Sequence, residues 1–560
     1  MTNRESKAVW FRGLLALLAL ILIGAGILAY DAVSPAGHDA SKTTSGNASE
    51  DEKKFQTKLQ FVMDQLEAQS DVDGSIQAEL ATGEYTFDQP LVVVNPYGIS
   101  PLSAVVVFTT DEPVNISVHV PGADALSDVD FTFEGYETEH IVPVYGLYAD
   151  KVNTVTLTKK SKDGTAQSTT VDIETEALSD EIDNIVLRTD LVQSSRYQSG
   201  LNFMYETKAA FDVNGDFRWY LKGDYQFPTN YEFQNGHFLV MLGSAYRENP
   251  ALFLEINPLG RIFKVLYTPY ACHHIIEQYE GDSILVAGSK GETVEDLIYE
   301  MNTTTGEIAQ TLDLKTVFQR VRAGYHEPED PDWIHLNDIQ WVQGTNDIII
   351  SSRNQSFVAR ISWPDGAIKW ILAAHDDWSE MFQKYLLSPI GDDFEWSYNQ
   401  HSPLILPDQD NNPDTMDLLV YDNGNQRPLS EEAEPYTRIV HYQIDEVNHT
   451  IRQVWQYGKE LGAALYANSR GNATPVANGN LVASYCIELG KTFRVDYREI
   501  DKDSNLVWQA EACTKQKDGE LIEFRVTRMP IYSQGTAEGF FPGDAINLIP
   551  AEVILQYEAQ

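Results

Sequence analysis

Six times between residues 212 and 510 the chain writes a polar turn followed by an apolar strand: DVNGDFRWY (212–220), NPLGRIFKV (257–265), NTTTGEIAQ (302–310), WPDGAIKWI (363–371), VNHTIRQVW (447–455) and KDSNLVWQA (502–510). Between the copies lies a second element, a tight turn and a more apolar strand: FQNGHFLVML, YEGDSILVAG, QGTNDIIISS, PDTMDLLVYD and VANGNLVASY. The spacing runs from about 45 to about 80 residues and absorbs insertions. Repeats of this length, built only of short strands, predict the blades of a β-propeller, an architecture that leaves no long open sheet edge. Six copies predict six blades, over residues 185–550. Isolated hairpins in an ordinary sandwich imitate three such units, not six in series.

Upstream the pattern differs. From 90 to 177 short alternating strands (LVVV, SAVVVFTT, VNISVHV, HIVPVYGLY, NTVTLTKK, STTVDIET) are separated by turn residues and predict a small N-terminal β-sandwich over 89–180. Residues 51–88 read as a helical connector, with Phe55, Leu59, Val62, Met63 and Leu66 on one face. Residues 31–50 are small and polar, a flexible linker. Residues 13–30 form an unbroken apolar run of 18 behind Arg4, Lys7 and Arg12. That run is long enough to span a bilayer, so 1–30 is predicted to be a transmembrane signal anchor or a signal peptide. Either way the remainder is expected to be extracytoplasmic, in the periplasm, at the cell surface or secreted, tied to the membrane through this helix if it is uncleaved. The fold class is therefore all-β: a six-bladed propeller behind a small sandwich and a transmembrane helix. A homodimer is left open.

With 83 acidic against 40 basic residues, the net charge of −43 opposes nucleic acid and anionic lipid. An anion site in such a chain has to be a local island of His, Arg and backbone donors. At 43% hydrophobic, with 28 Tyr and 10 Trp, the chain can bury a large core. Three cysteines are too few for a disulfide scaffold. Cys486 and Cys513 are close enough in sequence to pair in an oxidising compartment, leaving Cys272 over.

With the repeats in register, the strand after each turn element begins with His273-His274 in the second unit, His335-Leu336-Asn337 in the third and Gln400-His401-Ser402 in the fourth. Counted back from Gln278, Gln340 and Leu406, where strand meets turn, His273, His335 and His401 each fall five residues earlier. Equivalent positions of successive blades ring the axis, so these histidines are expected to converge. A single histidine in a strand is more often structural; three of twelve at one repeat phase point to a site. Arg353, after the third unit's apolar strand, can reach the same mouth or brace a blade. Neutral imidazole is a nucleophile at pH 7, a second imidazole can pass a proton to a leaving oxygen, and Arg and Asn donors can hold a transferring group's oxygens. The cluster could instead bind a metal, but carboxylates are missing from the phase positions. D408-Q-D410-N-N412 opens like a calcium loop, but Pro413 stands where its glycine belongs and Leu419 where its closing Glu belongs. No metal is expected.

The segments NPYGISPLSAVVVFTTDEPVNISVHVPG (95–122), DWIHLND…IIISSRNQS (332–356), FEWSYNQHSP (394–403) and FRVTRMPIY (524–532) resemble bacterial arylsulfate sulfotransferases over roughly residues 85–535. The resemblance implies cofactor-independent, ping-pong transfer of a sulfuryl group from a phenolic sulfate ester to an acceptor phenol. It implies His401 as the nucleophile that becomes sulfurylated, His335 as acid and base with Asn337 beside it, and Arg353 with His273 or His274 on the sulfuryl oxygens. Register prefers His273; the motif does not choose. A further contact is expected from Asn472 or Thr474 of the fifth unit. No cysteine lies between 353 and 401, so the disulfide some members carry there is absent. DDWSEMFQKYLL (376–387) reads as a helix that covers the active-site mouth. The sequence also excludes formylglycine sulfatase chemistry, having no C-x-P-x-R, and a phosphoadenosine cofactor, having no strand–glycine loop–helix. A hydrolase on the same scaffold, or a propeller that only binds ligand, are the alternatives.

Overall fold

Each of the six turn elements joins the third and fourth strands of its own sheet, and one oxygen side chain closes each turn. Asp212, Asn257, Asn302, Asp445 and Asp501 accept two backbone N–H groups apiece through Oδ1, and Ser362 Oγ accepts one from Ala367. These local bonds are why Asx and Ser favour turns. Three or four residues on, the chain enters the left-handed region, at Gly215, Gly260, Gly306 and Gly366 and, in the last two turns, at His449 and Ser504.

The computed structural model describes residues 50–558 except 227–235, 243–249, 291–292, 319–320, 323–324, 327–328, 431–432, 517–520, 534 and 537–543. The apolar run 13–30 and the linker up to residue 49 lie outside the described residues. Among those described, no helix is long and apolar enough to cross a membrane. They fall into two compact units, one within 57–548 and a small one comprising 50–56 with 549–558. The small unit holds the helix Ala551–Glu558.

In the larger unit six sheets follow one another. Sheet II comprises Tyr225–Gln226, Phe238–Leu242, Ala251–Ile256 and Ile262–Thr268, with Ile546–Leu548 added in parallel. Sheet III comprises Ala271–Gln278, Ser283–Ser289, Leu297–Asn302 and Ile308–Asp313. Sheet IV comprises Leu336–Val342, Asp347–Ser352, Phe357–Ser362 and Ile368–Leu372. Sheet V comprises His401–Ile405, Thr415–Asp422, Arg438–Asp445 and Thr450–Tyr457, with Ser388–Pro389 on its edge. Sheet VI comprises Asn472–Pro475, Leu481–Leu489, Thr492–Ile500 and Leu506–Thr514, and takes Ile185–Leu191 as its last strand. Sheet I takes its first strand, Val526–Met529, from near the chain's end, followed by Leu201–Met204, Ala209–Phe211 and Phe217–Tyr220. Both ends of the segment are thus knitted into sheets formed by the other. The first strands of sheets III, IV, V, VI and I touch in series.

The cores lie between neighbouring sheets. Ile275, Leu285 and Ile298 of sheet III pack with Leu336, Ile339, Ile348 and Ile350 of sheet IV, and comparable clusters join II to III, IV to V and V to VI. Second strands covered on both faces read as continuous apolar runs (ILVA, III, LLV) instead of alternating. Truncating one such side chain, as in Ile350→Ala, removes about 2–5 kcal/mol.

Residues 91–175 form one hydrogen-bonded six-stranded sheet around the long strand Ala104–Val120. Two separately expected strands are continuous here; the register shifts between Thr109 and Val114, where Pro113 has no N–H to donate. The first half pairs with Leu91–Val94 and Glu137–Val144, the second with Val129–Thr132 and Lys151–Ser161. The helix Glu50–Ala81 occupies most of the expected connector 51–88. From residue 57 on it docks on sheet II, where the Gln69 amide bonds both the N–H and the C=O of Ile262 and Asp73 pairs with Arg261.

Two expectations fail. Residues 376–387 contain only a four-residue helix, Glu380–Gln383. Trp378, Phe382 and Leu387 are buried, and Leu387 N–H bonds Ile371 C=O on the fourth strand of sheet IV. The segment therefore lines that sheet's outer edge and does not cover the mouth. Cys486 and Cys513 are both free. Val495 pairs with Cys486 on one side and with Ala512 on the other, so the cysteines stand two strands apart. That is about 10 Å, beyond the ~7 Å a disulfide spans.

Candidate active site

The first strands of sheets III, IV and V are all bulged at the end where their histidines lie. Register shifts fall between Cys272 and Ile276, between Leu336 and Asp338, and between His401 and Leu404. Bulges re-aim side chains, and here the backbone also enters the left-handed region at His274 (φ 62), His335 (φ 48) and Ser402 (φ 47). Such non-glycine conformations cost about 1–3 kcal/mol each and persist where the surroundings enforce them.

The imidazoles converge. His274 Nε2 lies 3.1 Å from His335 Nε2, and the His274 ring centre is 6.4 Å from that of His401. Phe524, just ahead of sheet I's first strand, sits between them, 4.7 Å from His274 and 5.5 Å from His401 by ring centres. His335 Nδ1 faces Asp332 at 2.9 Å and Glu295 at 3.6 Å, and His273 Nδ1 contacts the same buried Glu295. The His401 proton can be placed from its neighbours. Asn423 donates Nδ2 to the carbonyls of Ala467 (2.9 Å) and Arg470 (2.8 Å), so its Oδ1, 2.6 Å from His401 Nδ1, must accept. Nδ1 carries the hydrogen, and Nε2 keeps the lone pair.

Residues 189–525, more than half of the chain, match the model of the arylsulfotransferases (ASST), and residues 91–176 that of the arylsulfotransferase Ig-like domain. This chain belongs to the arylsulfotransferase family. Arylsulfate sulfotransferase AssT of Lelliottia amnigena is 25% identical to it over 503 residues, 67% of this chain and 81% of the relative. AssT of Escherichia coli O6:H1 is 25% identical over 500 residues with the same shares. Among solved structures, a Synechocystis apocarotenoid oxygenase (ACO) aligns with 80% of this chain and 98% of its own at 10% identity, but its TM-score of 0.29 carries no argument. The chain is accordingly an arylsulfate sulfotransferase enzyme, whose general activity is sulfuryl transfer.

Within this arylsulfotransferase the residues singled out from sequence are placed as follows. His274, His335 and His401 lie together. His273 turns to Glu295 while His274 stands between the other two histidines, the reverse of the register's preference. The count along the strand assumed an even pleat that the bulge at 272–276 interrupts. Arg353 N–H bonds the His335 carbonyl at 3.1 Å, and its charge reaches His401. Asn337 is buried; Nδ2 holds the Gln400 carbonyl at 2.8 Å, and Oδ1 has no partner among the described residues. Asn472 is engaged away from the histidines: its amide bonds both N–H and C=O of Val526 and accepts from Ser484, lacing sheet VI to sheet I. Thr474 Oγ1 is buried without a partner among the described residues, and no contact joins it to the histidines.

Burial holds the imidazoles of His273, His274 and His401 well below the usual histidine range. For His401, Arg353 pushes the same way and the Asn423 bond pulls back. All three are therefore neutral at pH 7. Residues that could hold a cation are His273, His274 and Glu295, or Glu295, Asp332 and His335, each set with ligand atoms within 4.8 Å of one another. Sequence reasoning missed Glu295, Asn423 and Phe524. Phe524 stood inside a family-like motif, FRVTRMPIY, and was open to discovery; Glu295 and Asn423 lie in loops with no signature.

Proposed function

We propose that this arylsulfotransferase moves a sulfuryl group from a phenolic sulfate ester to an acceptor phenol by a ping-pong route through His401. The observation that carries the reading is the fixed His401 tautomer, with Nδ1–H held by Asn423 and a neutral, lone-pair Nε2. In the first half-reaction Nε2 attacks sulfur, the S–O(aryl) bond breaks, and His335 gives a proton to the departing phenolate. Asp332 and Glu295, facing His335 Nδ1, offset the charge His335 carries while doubly protonated. In the second, the acceptor phenol yields its proton to His335, its oxygen attacks sulfur, and the N–S bond breaks. Arg353, His274 and Asn337 are assigned to the sulfuryl oxygens, where charge gathers. The six sheets are taken as six blades of a propeller whose axis the histidines approach; the serial contact of the first strands and the knitting of the chain's two ends support this. The apolar run 13–30 behind three cationic residues supports a place outside the cytoplasmic membrane.

The test is release of nitrophenol from p-nitrophenyl sulfate, with and without phenol and without added nucleotide, followed by mass spectrometry of the trapped enzyme. Acceptor-stimulated release and a sulfuryl group on the His401 peptide are expected. Equal release with and without phenol would make the enzyme a hydrolase, and an unlabelled His401 would overturn the mechanism.

A further inference from the structure

The loop ahead of sheet VI brings a second arginine beside the residue that orients His401. Arg470 adopts left-handed backbone (φ 63) and is followed by Gly471 (φ 95). Both peptides are tied down. Asn423, which orients His401, also donates to the Arg470 carbonyl at 2.8 Å. Ser402, next to the nucleophile, donates to the Gly471 carbonyl at 3.2 Å, and Gly471 N–H bonds the Phe524 carbonyl at 2.9 Å. A Cβ at 471 would stand 2.3 Å from the Tyr421 ring, so the loop has no room to shift that way. The half-buried Arg470 side chain makes one hydrogen bond among the described residues, Nη1 to Ser469 Oγ at 3.2 Å. Its counterparts are neutralised: Arg525 by Asp338, Arg427 and Arg438 by Asp422, and Arg528 by Glu499. Arg470 has no carboxylate in ion-pair range among the described residues. Its charge favours the loss of a proton from His273 in sheet III, from Glu206 in the turn between two strands of sheet I and from Cys486 in sheet VI. A partly desolvated cation with unused donors calls for an anion, and in a chain with 83 acidic residues a guanidinium left without a carboxylate stands out.

We propose that Arg470 is a catalytic residue of the sulfuryl site, donating to the non-bridging oxygens of the sulfate ester in addition to Arg353. The proposal rests on His401 as the nucleophile. The experiment uses the full chain with p-nitrophenyl sulfate as donor, phenol as acceptor and inorganic sulfate as competitive inhibitor. Arg470→Met should lower kcat/KM for the donor by about 10²-fold and raise the sulfate inhibition constant at least about tenfold, with thermal unfolding near that of wild type. Arg470→Lys, which keeps the charge, should hold sulfate affinity within about threefold while kcat/KM falls about tenfold, because a point charge replaces the fork. Unchanged sulfate inhibition in Arg470→Met overturns the proposal. Should Arg470→Met fail to fold, Arg470→Gln takes its place, and unchanged sulfate inhibition in that neutral variant overturns the proposal equally. Wild-type turnover and His401 labelling are measured first: their absence sinks the nucleophile itself, whereas an active, labelled enzyme indifferent to residue 470 sinks this proposal alone.

Discussion

The turn between third and fourth strands and the far end of the first strand belong to the same repeat, yet they follow opposite rules. The six turns are near copies, each closed by one side-chain oxygen, with left-handed backbone given to glycine in four of six. The first-strand ends differ from sheet to sheet. Left-handed backbone falls there on His274, His335, Ser402 and Arg470, and Glu295 Oε2, Asn337 Oδ1 and Gln400 Oε1 are buried without a hydrogen bond among the described residues. Local satisfaction marks the part of the repeat that builds the fold. Unmet polar groups and enforced backbone mark the part that departs from the repeat to do chemistry.

Substitutions at the two ends should separate accordingly. His401→Ala should lose about 10⁴-fold or more in nitrophenol release with an unchanged melting temperature. Asn423→Ala, which frees the His401 ring to take the wrong tautomer, should cost about 10²-fold in the donor half-reaction, read from the burst of nitrophenol. At the other end, Asn257→Ala removes the acceptor of the Leu259 and Arg261 N–H groups. It should cost about 1–2 kcal/mol in denaturant unfolding and leave kcat unchanged; a loss of kcat there would break the separation. Because burial depresses the His401 pKa, its neutral form survives below the ordinary histidine value, so single-turnover donor cleavage should fall by less than about twofold between pH 7 and pH 6. The smallest effect expected is that of a chelator, which should leave the rate unaltered; inhibition would assign Glu295 and its histidines to a cation instead.

The same contrast explains what was legible in the sequence. The turns announced themselves because their chemistry is local: Asn257 and Gly260 stabilise the conformation of their own loop. His335 and His401 were found by counting along a repeat. The choice between His273 and His274 escaped that count because a bulge breaks the period-two alternation. Asn472 looked like a ligand in SRGNATPV, but its partner, Val526, lies 54 residues away on a strand of another sheet. Pairings of that range leave no local trace. Residues 376–387 have helical apolar spacing, yet Trp378 and Phe382 join the core of sheet IV and Leu387 that between sheets IV and V, so the spacing answers to the sheets and not to a long helix. Asn423 and Glu295 act through contacts to residues 22 to 47 positions away, which composition and period do not encode.

The clasp between the two chain ends has a consequence for how the enzyme comes into being. Sheet I lacks its first strand until residues 526–529 have been made, and Phe524, wedged between His274 and His401, arrives only just before them. A chain in synthesis therefore carries His401 for more than a hundred residues before the pocket around it can close. Interrupted products are not weaker sulfotransferases but unfinished ones, and catalytic competence appears as a single late event in the life of each molecule.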